Sequence, residues 1–134
     1  MVGLLLQLIF MKRIIIIEDD PAILDVLGIL FTRAGYDTLT YPNGNFILKG
    51  EFDIPDLFII DKQLSGVDGL DICKYLKQTG LTSQIPVIIL SATPHLHNQI
   101  KLVGADAFLE KPFSNGKLLQ LASSLINGAG LPLS

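Results

Sequence analysis

Residues 56–69 read DLFIIDKQLSGVDG, and this stretch decides the fold that we predict. Four bulky apolar residues, 57–60, run directly into the carboxyl group of Asp61. A short, continuous apolar run is typical of a strand covered on both faces, as in a parallel sheet. The acid that ends the run is either a solvated turn residue or a carboxylate held at the edge of the sheet for chemistry.

Four more segments have the character of strands. Residues 14–17 and 87–90 are also short runs rich in Ile and Val, whereas residues 36–41 and 107–109 are more mixed and suit the edges of a sheet. The sequence therefore predicts five strands, of which the first, third and fourth are buried in the middle of one sheet.

Helical patterns with recognisable ends separate these strands. Asp20 is predicted to cap the first helix, with Pro21 at its first position and Gly35 as its stop. The remaining helices are predicted to begin at Asp68, at Thr93 with Pro94, and at Ser114, and a short helix is expected between residues 43 and 50.

Regular alternation of strand and helix predicts an α/β fold with a parallel sheet and right-handed crossovers. The buried and edge-like strands fit a five-stranded sheet of order 2-1-3-4-5, the flavodoxin-like (βα)5 arrangement with helices on both faces. Ligands of such sheets bind beyond the carboxyl ends of the strands, at the switch point between strands one and three.

Composition excludes several classes of protein. The chain has 134 residues, 49% of them hydrophobic, and its net charge of −3 comes without a basic run, so we expect no nucleic-acid partner. The single cysteine, Cys73, excludes an internal disulfide and a Cys-rich zinc site. The apolar run of residues 1–10 is too short to span a bilayer and lacks the pattern of a signal peptide, so we expect a cytoplasmic protein without membrane insertion.

One domain is predicted over residues 12–127, followed by a short tail at 128–134. Residues 1–11 form an apolar extension that is either a dispensable start or a segment that packs on the domain or on a partner. The chain is also compatible with being a fragment of a longer regulator.

Acidic residues gather where the predicted strands end. Glu18 and Asp19 follow the first strand and Asp61 ends the third, and these two strands are neighbours in the predicted order. Carboxylates so placed repel one another unless they are protonated or bound to a cation, and oxygen ligands suit Mg²⁺. Asp20 is assigned instead to the cap of the first helix.

The other strand ends supply complementary groups. Ser91 ends the fourth strand with a hydroxyl that can bond a phosphoryl oxygen, and Lys111 follows the fifth with an ammonium that can neutralise a phosphoryl group. Together with Asp61 they predict a phosphoryl-transfer site with a carboxylate nucleophile.

Four motifs resemble the receiver domain of two-component response regulators over residues 12–127: IIIIEDD, FIIDKQLSGVDG, VIILSA and GADAFLEKPF. The resemblance implies that Asp61 accepts a phosphoryl group from a histidine kinase or phosphotransfer protein. It further implies a phosphoacceptor that catalyses only its own phosphorylation and dephosphorylation, rather than an enzyme acting on other substrates.

The same resemblance implies a role for each remaining site residue. Mg²⁺ or Mn²⁺ would be held by Asp19, by Asp61, by the main-chain carbonyl of Gln63 and, through water, by Glu18. Ser91 and Lys111 would sense the phosphoryl group, and Phe108 would be the switch aromatic on the fifth strand. The Lys111–Pro112 bond matches one that is commonly cis in the family. The signal would pass to a downstream target protein through the face made by the fourth helix, the fifth strand and the fifth helix. The resemblance also implies a monomer or a weak phosphorylation-dependent dimer.

One position departs from the family pattern, since Ser65 stands where proline is usual, which predicts a more flexible loop without the loss of a ligand. The sequence also bears on three alternative classes of protein. A phosphatase of the haloacid dehalogenase type would need an acid where Gln63 stands, and a nucleotide- or flavin-binding domain would need a glycine-rich loop that the sequence lacks. A receiver fold that acts as a phosphorylation-independent interaction module stays open.

Overall fold

The computed structural model describes residues 11–128. Residues 1–10 and 129–134 lie outside the described residues, so the expectations for the N-terminal extension and for almost all of the C-terminal tail stay predictions. Within the described part, the strands are β1 (Arg13–Ile17), β2 (Asp37–Tyr41), β3 (Leu57–Asp61), β4 (Val87–Ser91) and β5 (Ala107–Glu110), and the helices are α1 (Pro21–Arg33), α2 (Asn45–Leu48), α3 (Gly69–Gln78), α4 (His97–Leu102) and α5 (Asn115–Ile126).

All neighbouring strands pair in parallel, in the order β2-β1-β3-β4-β5. The predicted fold class and strand order are therefore confirmed. β1 and β3 lie side by side at the switch point, with Ile17 opposite Ile60. Of the helices in residues 11–128, none is long and apolar enough to cross a membrane.

The three central strands are buried on both faces, as their continuous apolar runs predict. Successive side chains of each strand point to opposite faces of the sheet and pack into two separate hydrophobic cores. One face packs against α2, α3 and α4 through residues such as Ile15, Phe58 and Ile89, and the other against α1 and α5 through Ile14 and Ile59. The helices therefore cover both faces of the sheet.

Three predicted helix caps are confirmed by hydrogen bonds to main-chain amides. Asp20 Oδ1 accepts from the amide of Ala22 at 2.9 Å, Asp68 Oδ1 accepts from that of Leu70 at 2.8 Å, and Ser114 Oγ accepts from that of Lys117 at 3.1 Å. Gly35 follows α1 with φ 98°, a left-handed conformation that suits glycine and ends a helix.

The predicted start of the fourth helix is wrong. α4 begins at His97 rather than at Thr93 with Pro94, because His95 has φ 61° and a left-handed residue interrupts a right-handed helix. The amide of Thr93 instead donates to Ser91 Oγ at 3.0 Å, so this segment is a loop tied to the end of β4.

Aspartates hold the beginnings of two strands at the amino-terminal edge of the sheet. Asp56 Oδ2 accepts from the amide of Arg13 at 2.7 Å, and Asp106 Oδ2 accepts from that of Val87 at 2.8 Å. The ammonium of Lys77, on α3, also lies 2.6 Å from Asp106 Oδ2. These bonds satisfy strand amides that have no partner within the sheet.

Candidate functional site

Polar residues collect at the carboxyl ends of the central strands, at the opposite edge of the sheet. Among the described residues four polar side chains are buried, and three of them are here: Glu18 after β1, Asp61 at the end of β3 and Ser91 at the end of β4. Burying a polar group costs free energy unless the group is hydrogen-bonded or paired with a charge. Buried polar groups concentrated in one place therefore indicate a functional site.

Asp61 is held by donors on both carboxylate oxygens. Oδ1 accepts from the main-chain amide of Gln63 at 2.8 Å, and Oδ2 forms an ion pair with the ammonium of Lys111. Burial acts to raise the pKa of Asp61, but hydrogen bonding with Glu18, Lys111 and the Gln63 amide outweighs it and lowers that pKa. Asp61 is therefore an ionised, oriented carboxylate at neutral pH.

Lys111 reaches the site from the loop after β5, and the Lys111–Pro112 peptide bond is cis, as the resemblance implies. Its ammonium also lies 4.0 Å from Glu18 Oε1. A single cation thus faces both buried carboxyl groups.

Glu18 has the opposite character to Asp61. Burial, and then the neighbouring carboxylate of Asp61, raise the pKa of Glu18 to about 8 despite the opposing charge of Lys111. Its Oε2 atom is buried and has no hydrogen-bond partner within residues 11–128. An orphaned carboxyl oxygen of this kind fits a proton, a water molecule or the hydration shell of a cation.

Asp19 is turned toward the loop between β3 and α3. Its Oδ2 accepts two hydrogen bonds from Ser65, one from the amide at 3.1 Å and one from the hydroxyl at 3.0 Å. The sequence predicted Ser65 only as a loss of rigidity and missed this contact. The sequence shows only that a residue other than proline restores an amide donor at position 65, and it does not show which acceptor that donor meets.

The donor set fits a hard cation. Asp19, Asp61 and the carbonyl of Gln63 offer only oxygen, and Mg²⁺ takes one or two carboxylates and keeps several waters. Within residues 11–128 no three His, Cys, Asp or Glu side chains gather as a ready-made metal cage. The residues present therefore suit a site with few protein ligands, completed by water.

Ser91 lies on β4, which is next to β3, and Phe108 lies on β5, one strand further along the sheet. The Ser91 hydroxyl accepts from the Thr93 amide, as described above, and Phe108 pairs across the sheet with Ile89. The half-buried ring of Phe108 meets the ring of His97 edge-on, with centroids 4.5 Å apart and an interplanar angle of 89°. His97 is therefore a neighbour of the predicted switch aromatic, which the sequence did not indicate.

Gly69 is a second site residue that the sequence missed. It is the first residue of α3, it is buried, and its amide donates to the carbonyl of Lys62 at 2.9 Å. A Cβ atom at this position would lie 2.9 Å from both the carbonyl carbon of Asp61 and the Cα of Lys62. Only glycine lets α3 approach the main chain of Asp61 this closely.

The carboxylate of Asp61, the hydroxyl of Ser91 and the ammonium of Lys111 thus lie at or just after the ends of three successive strands of a doubly wound sheet. A family model described as the response regulator receiver domain matches residues 14–123, so the chain belongs to this family. The resemblance seen in the sequence is thereby confirmed.

Relatives of known name agree with this assignment. The chain is 37% identical over 122 residues to the DNA-binding dual master transcriptional regulator RpaA of Synechocystis sp., covering 87% of this chain and 49% of that protein. It is 34% identical over 106 residues to the alkaline phosphatase synthesis transcriptional regulatory protein PhoP of Bacillus subtilis, covering 77% of this chain and 43% of that protein. The chain thus spans about half the length of the curated relatives it matches.

Solved structures show the same fold. A signal receiver domain of a signal transduction histidine kinase from Syntrophus aciditrophicus superposes with a TM-score of 0.81 at 29% identity, covering 92% of this chain and 96% of that one. The response regulator TrrA of Thermotoga maritima, solved in complex with Mg²⁺–BeF, gives 0.76 at 27% identity, covering 86% and 99%.

Proposed function

We propose that this receiver domain accepts a phosphoryl group on Asp61 in a reaction that depends on a divalent cation. The observation that carries the proposal is the state of Asp61: a buried carboxylate that is bonded on one oxygen by the Gln63 amide and on the other by Lys111. A carboxylate oriented by fixed donors is prepared for nucleophilic attack, since it needs little reorganisation.

In the proposed reaction, a carboxylate oxygen of Asp61 attacks the phosphorus of a phosphohistidine on the donor. The new O–P bond forms as the P–N bond of the donor breaks, and the donor histidine leaves with the electron pair. Lys111, already paired with Asp61, is placed to move onto a phosphoryl oxygen and balance its charge. The Ser91 hydroxyl, at the end of the adjacent strand, is the candidate donor to a second phosphoryl oxygen.

Asp19, Asp61 and the Gln63 carbonyl are the residues that would hold Mg²⁺, with Glu18 assisting through water. A bound Mg²⁺ would neutralise charge on the phosphoryl oxygens. Glu18 supports this assignment because its buried Oε2 has no donor in the described part of the chain.

The response to phosphorylation is proposed to run through Phe108. A phosphoryl group adds about two negative charges, and a shift of Ser91 toward it would vacate space beside β5. Phe108 could then turn inward and leave His97, which would change the packing of α4 against β5.

A groove supports the proposed output face. It has a volume of about 600 Å³ and lies between β5, α5 and the start of α4, where its lining includes the apolar Phe108, Leu109 and Leu121 and the charged Glu110 and Lys117. A change in the orientation of Phe108 would alter this lining directly. We propose that a downstream target protein docks here.

Receiver domains interact with histidine kinases, and we propose a histidine kinase or phosphotransfer protein as the donor for this chain. The relatives named above include a DNA-binding regulator about twice as long as this chain. The absence of a nucleic-acid partner stays a prediction about this chain alone. The domain limits of 12–127 and the monomer or weak phosphorylation-dependent dimer are likewise proposals.

Incubation with acetyl phosphate and Mg²⁺, followed by intact mass measurement, tests the proposal. We expect the wild-type protein to gain one phosphoryl group and Asp61→Asn to gain none. Asp71→Asn is the matched control, because Asp71 is an exposed acid in the first turn of α3 and should leave labelling unchanged.

The outcomes separate the alternatives. No labelling of the wild type, together with no binding of beryllofluoride, would favour the phosphorylation-independent interaction module and refute the proposal. Steady hydrolysis of unrelated phosphate esters would favour a phosphatase instead. Labelling that survives in Asp61→Asn would place the acceptor at another residue.

A further inference from the structure

Ser65 makes a contact that the usual proline could not make. Its amide and its hydroxyl both donate to Oδ2 of Asp19, at 3.1 and 3.0 Å, across 46 residues of sequence. Proline has neither an amide hydrogen nor a hydroxyl, so both bonds depend on the residue found here.

The two bonds distinguish the two oxygens of the Asp19 carboxylate. Both donors of Ser65 bond to Oδ2, and within residues 11–128 no side-chain hydrogen bond reaches Oδ1. Oδ1 is left as the oxygen that can bind a cation. The side chain of Asp19 is half-buried and would otherwise turn freely about its terminal torsion, so the bonds also restrict its orientation.

The contact also joins the two loops that carry the candidate ligands. Asp19 lies in the loop after β1, whereas Ser65 lies two residues after Gln63 in the loop after β3. The amide of Gln63 is itself fixed to Asp61 Oδ1 at 2.8 Å. The main chain from Gln63 to Ser65, with a hydrogen-bonded contact at each end, therefore connects all three candidate ligands before any cation binds.

We propose that Ser65 is a positioning residue for the divalent cation, which holds Asp19 by Oδ2 so that Oδ1 is presented as the ligand. This inference rests on the proposed function of the site. Donors to a ligating group typically contribute 10- to 100-fold to metal affinity. Loss of one of two such donors should therefore weaken binding by about threefold to tenfold.

The test is a titration of the intact chain with Mg²⁺, in which the NMR shifts of the Glu18 and Gln63 amides report binding. This measurement needs no phosphorylation. Ser65→Ala removes the hydroxyl donor and should raise the dissociation constant for Mg²⁺ by about threefold to tenfold. Ser65→Thr keeps both donors and should restore the affinity. Ser83→Ala is the matched control, because the hydroxyl of Ser83 bonds the carbonyl of Gly80, in the loop between α3 and β4.

A second comparison separates positioning from a general effect on folding. In an Asp19→Asn background, the further change Ser65→Ala should cause no additional loss of Mg²⁺ affinity, because its route to the cation runs through Asp19. Thermal unfolding without Mg²⁺ should be the same in Ser65→Ala and in Ser83→Ala. An equal loss of affinity in both backgrounds would overturn the inference.

The failures of the two proposals are distinguishable. If the wild type is labelled by acetyl phosphate and binds Mg²⁺, but Ser65→Ala binds it as tightly, the positioning role is refuted and the proposed function stands. If the wild type shows no shifts with Mg²⁺ and takes up no phosphoryl group, both are refuted.

Discussion

Replacing Gly69 by alanine tests whether the close approach of α3 to Asp61 shapes the site. The added Cβ would lie 2.9 Å from the carbonyl carbon of Asp61 and from the Cα of Lys62, and closer still to the carbonyl oxygen of Asp61, where ordinary contact begins at 3.4 Å. All three are main-chain atoms and cannot rotate away. The start of α3 and the end of β3 must therefore separate by at least about 0.5 Å.

The magnitude follows from two opposing effects. Alanine is favoured over glycine within helices by up to about 1 kcal/mol, which would stabilise the variant if there were room. Overpacking against fixed atoms costs about 1–3 kcal/mol or more. We therefore expect the free energy of unfolding to fall by about 1–2 kcal/mol, which corresponds to about 4–10 °C in Tm for a domain of this size.

The displacement should also reach the chemistry, because it acts on the main chain of Asp61 itself. Misplacing a reacting group by about 1 Å can cost about 100-fold in rate. We expect a tenfold or greater fall in the rate of labelling by acetyl phosphate, about half of that effect on a logarithmic scale. Urea unfolding measures the effect on stability. The time course of labelling by acetyl phosphate, followed by intact mass measurement, gives the effect on the rate.

Gly116→Ala is the matched control, since Gly116 is the second residue of α5 and has no heavy atom within 4 Å of its ideal Cβ position. It should leave labelling unchanged and should equal or exceed the wild type in stability. The reasoning is refuted if Gly69→Ala behaves like Gly116→Ala in both measurements.

Three further predictions concern stability. The pKa of Glu18 in the folded protein is about 8, above its ordinary value of 4.5, so between these values the folded state retains a proton that the unfolded chain releases. The contribution of Glu18 to the free energy of unfolding therefore falls as pH rises from 4.5 to 8. In metal-free urea unfolding, Glu18→Gln should make this decline with pH less steep, and an unchanged pH profile would contradict the prediction. Asp106→Ala should lower the free energy of unfolding by about 1–2 kcal/mol, because the amide of Val87 loses its acceptor and Lys77 keeps only the carbonyl of Ile85. Calorimetry checks this, and a loss below about 0.5 kcal/mol would be too small for the proposed cause. His95→Val should cost about 1–2 kcal/mol because of the left-handed backbone, whereas His95→Gly should be tolerated, and equal Tm values for the two would argue against strain at this position.

The fold could be predicted because its determinants are local. The apolar run before Asp61 and the similar runs in β1 and β4 indicate the length of each strand and its burial on both faces. Capping residues such as Ser114 indicate the ends of helices to within a few positions. The start of α4 could not be predicted in this way. It depends on the left-handed conformation of His95, and no neighbouring residue in the sequence specifies that conformation.

The candidate site was predictable as a set of residues but not as a set of contacts. Parallel topology places Glu18, Asp61 and Ser91 at one edge of the sheet whatever their side-chain orientations. The two bonds between Ser65 and Asp19 join residues 46 positions apart, and the close approach of Gly69 depends on the angle at which α3 leaves β3. Such details follow from packing, which short-range patterns do not encode.

The aspartates at the amino-terminal edge of the sheet have a practical consequence. They lie about one strand length from Asp61, the proposed phosphoacceptor, which is about 13–16 Å for strands of this length. Substitutions separated by more than about 10 Å, without shared partners, usually act additively. Resistance to heat could therefore be engineered around Asp56 and Asp106 while the rates of phosphoryl gain and loss are tuned independently at the other end of the same strands.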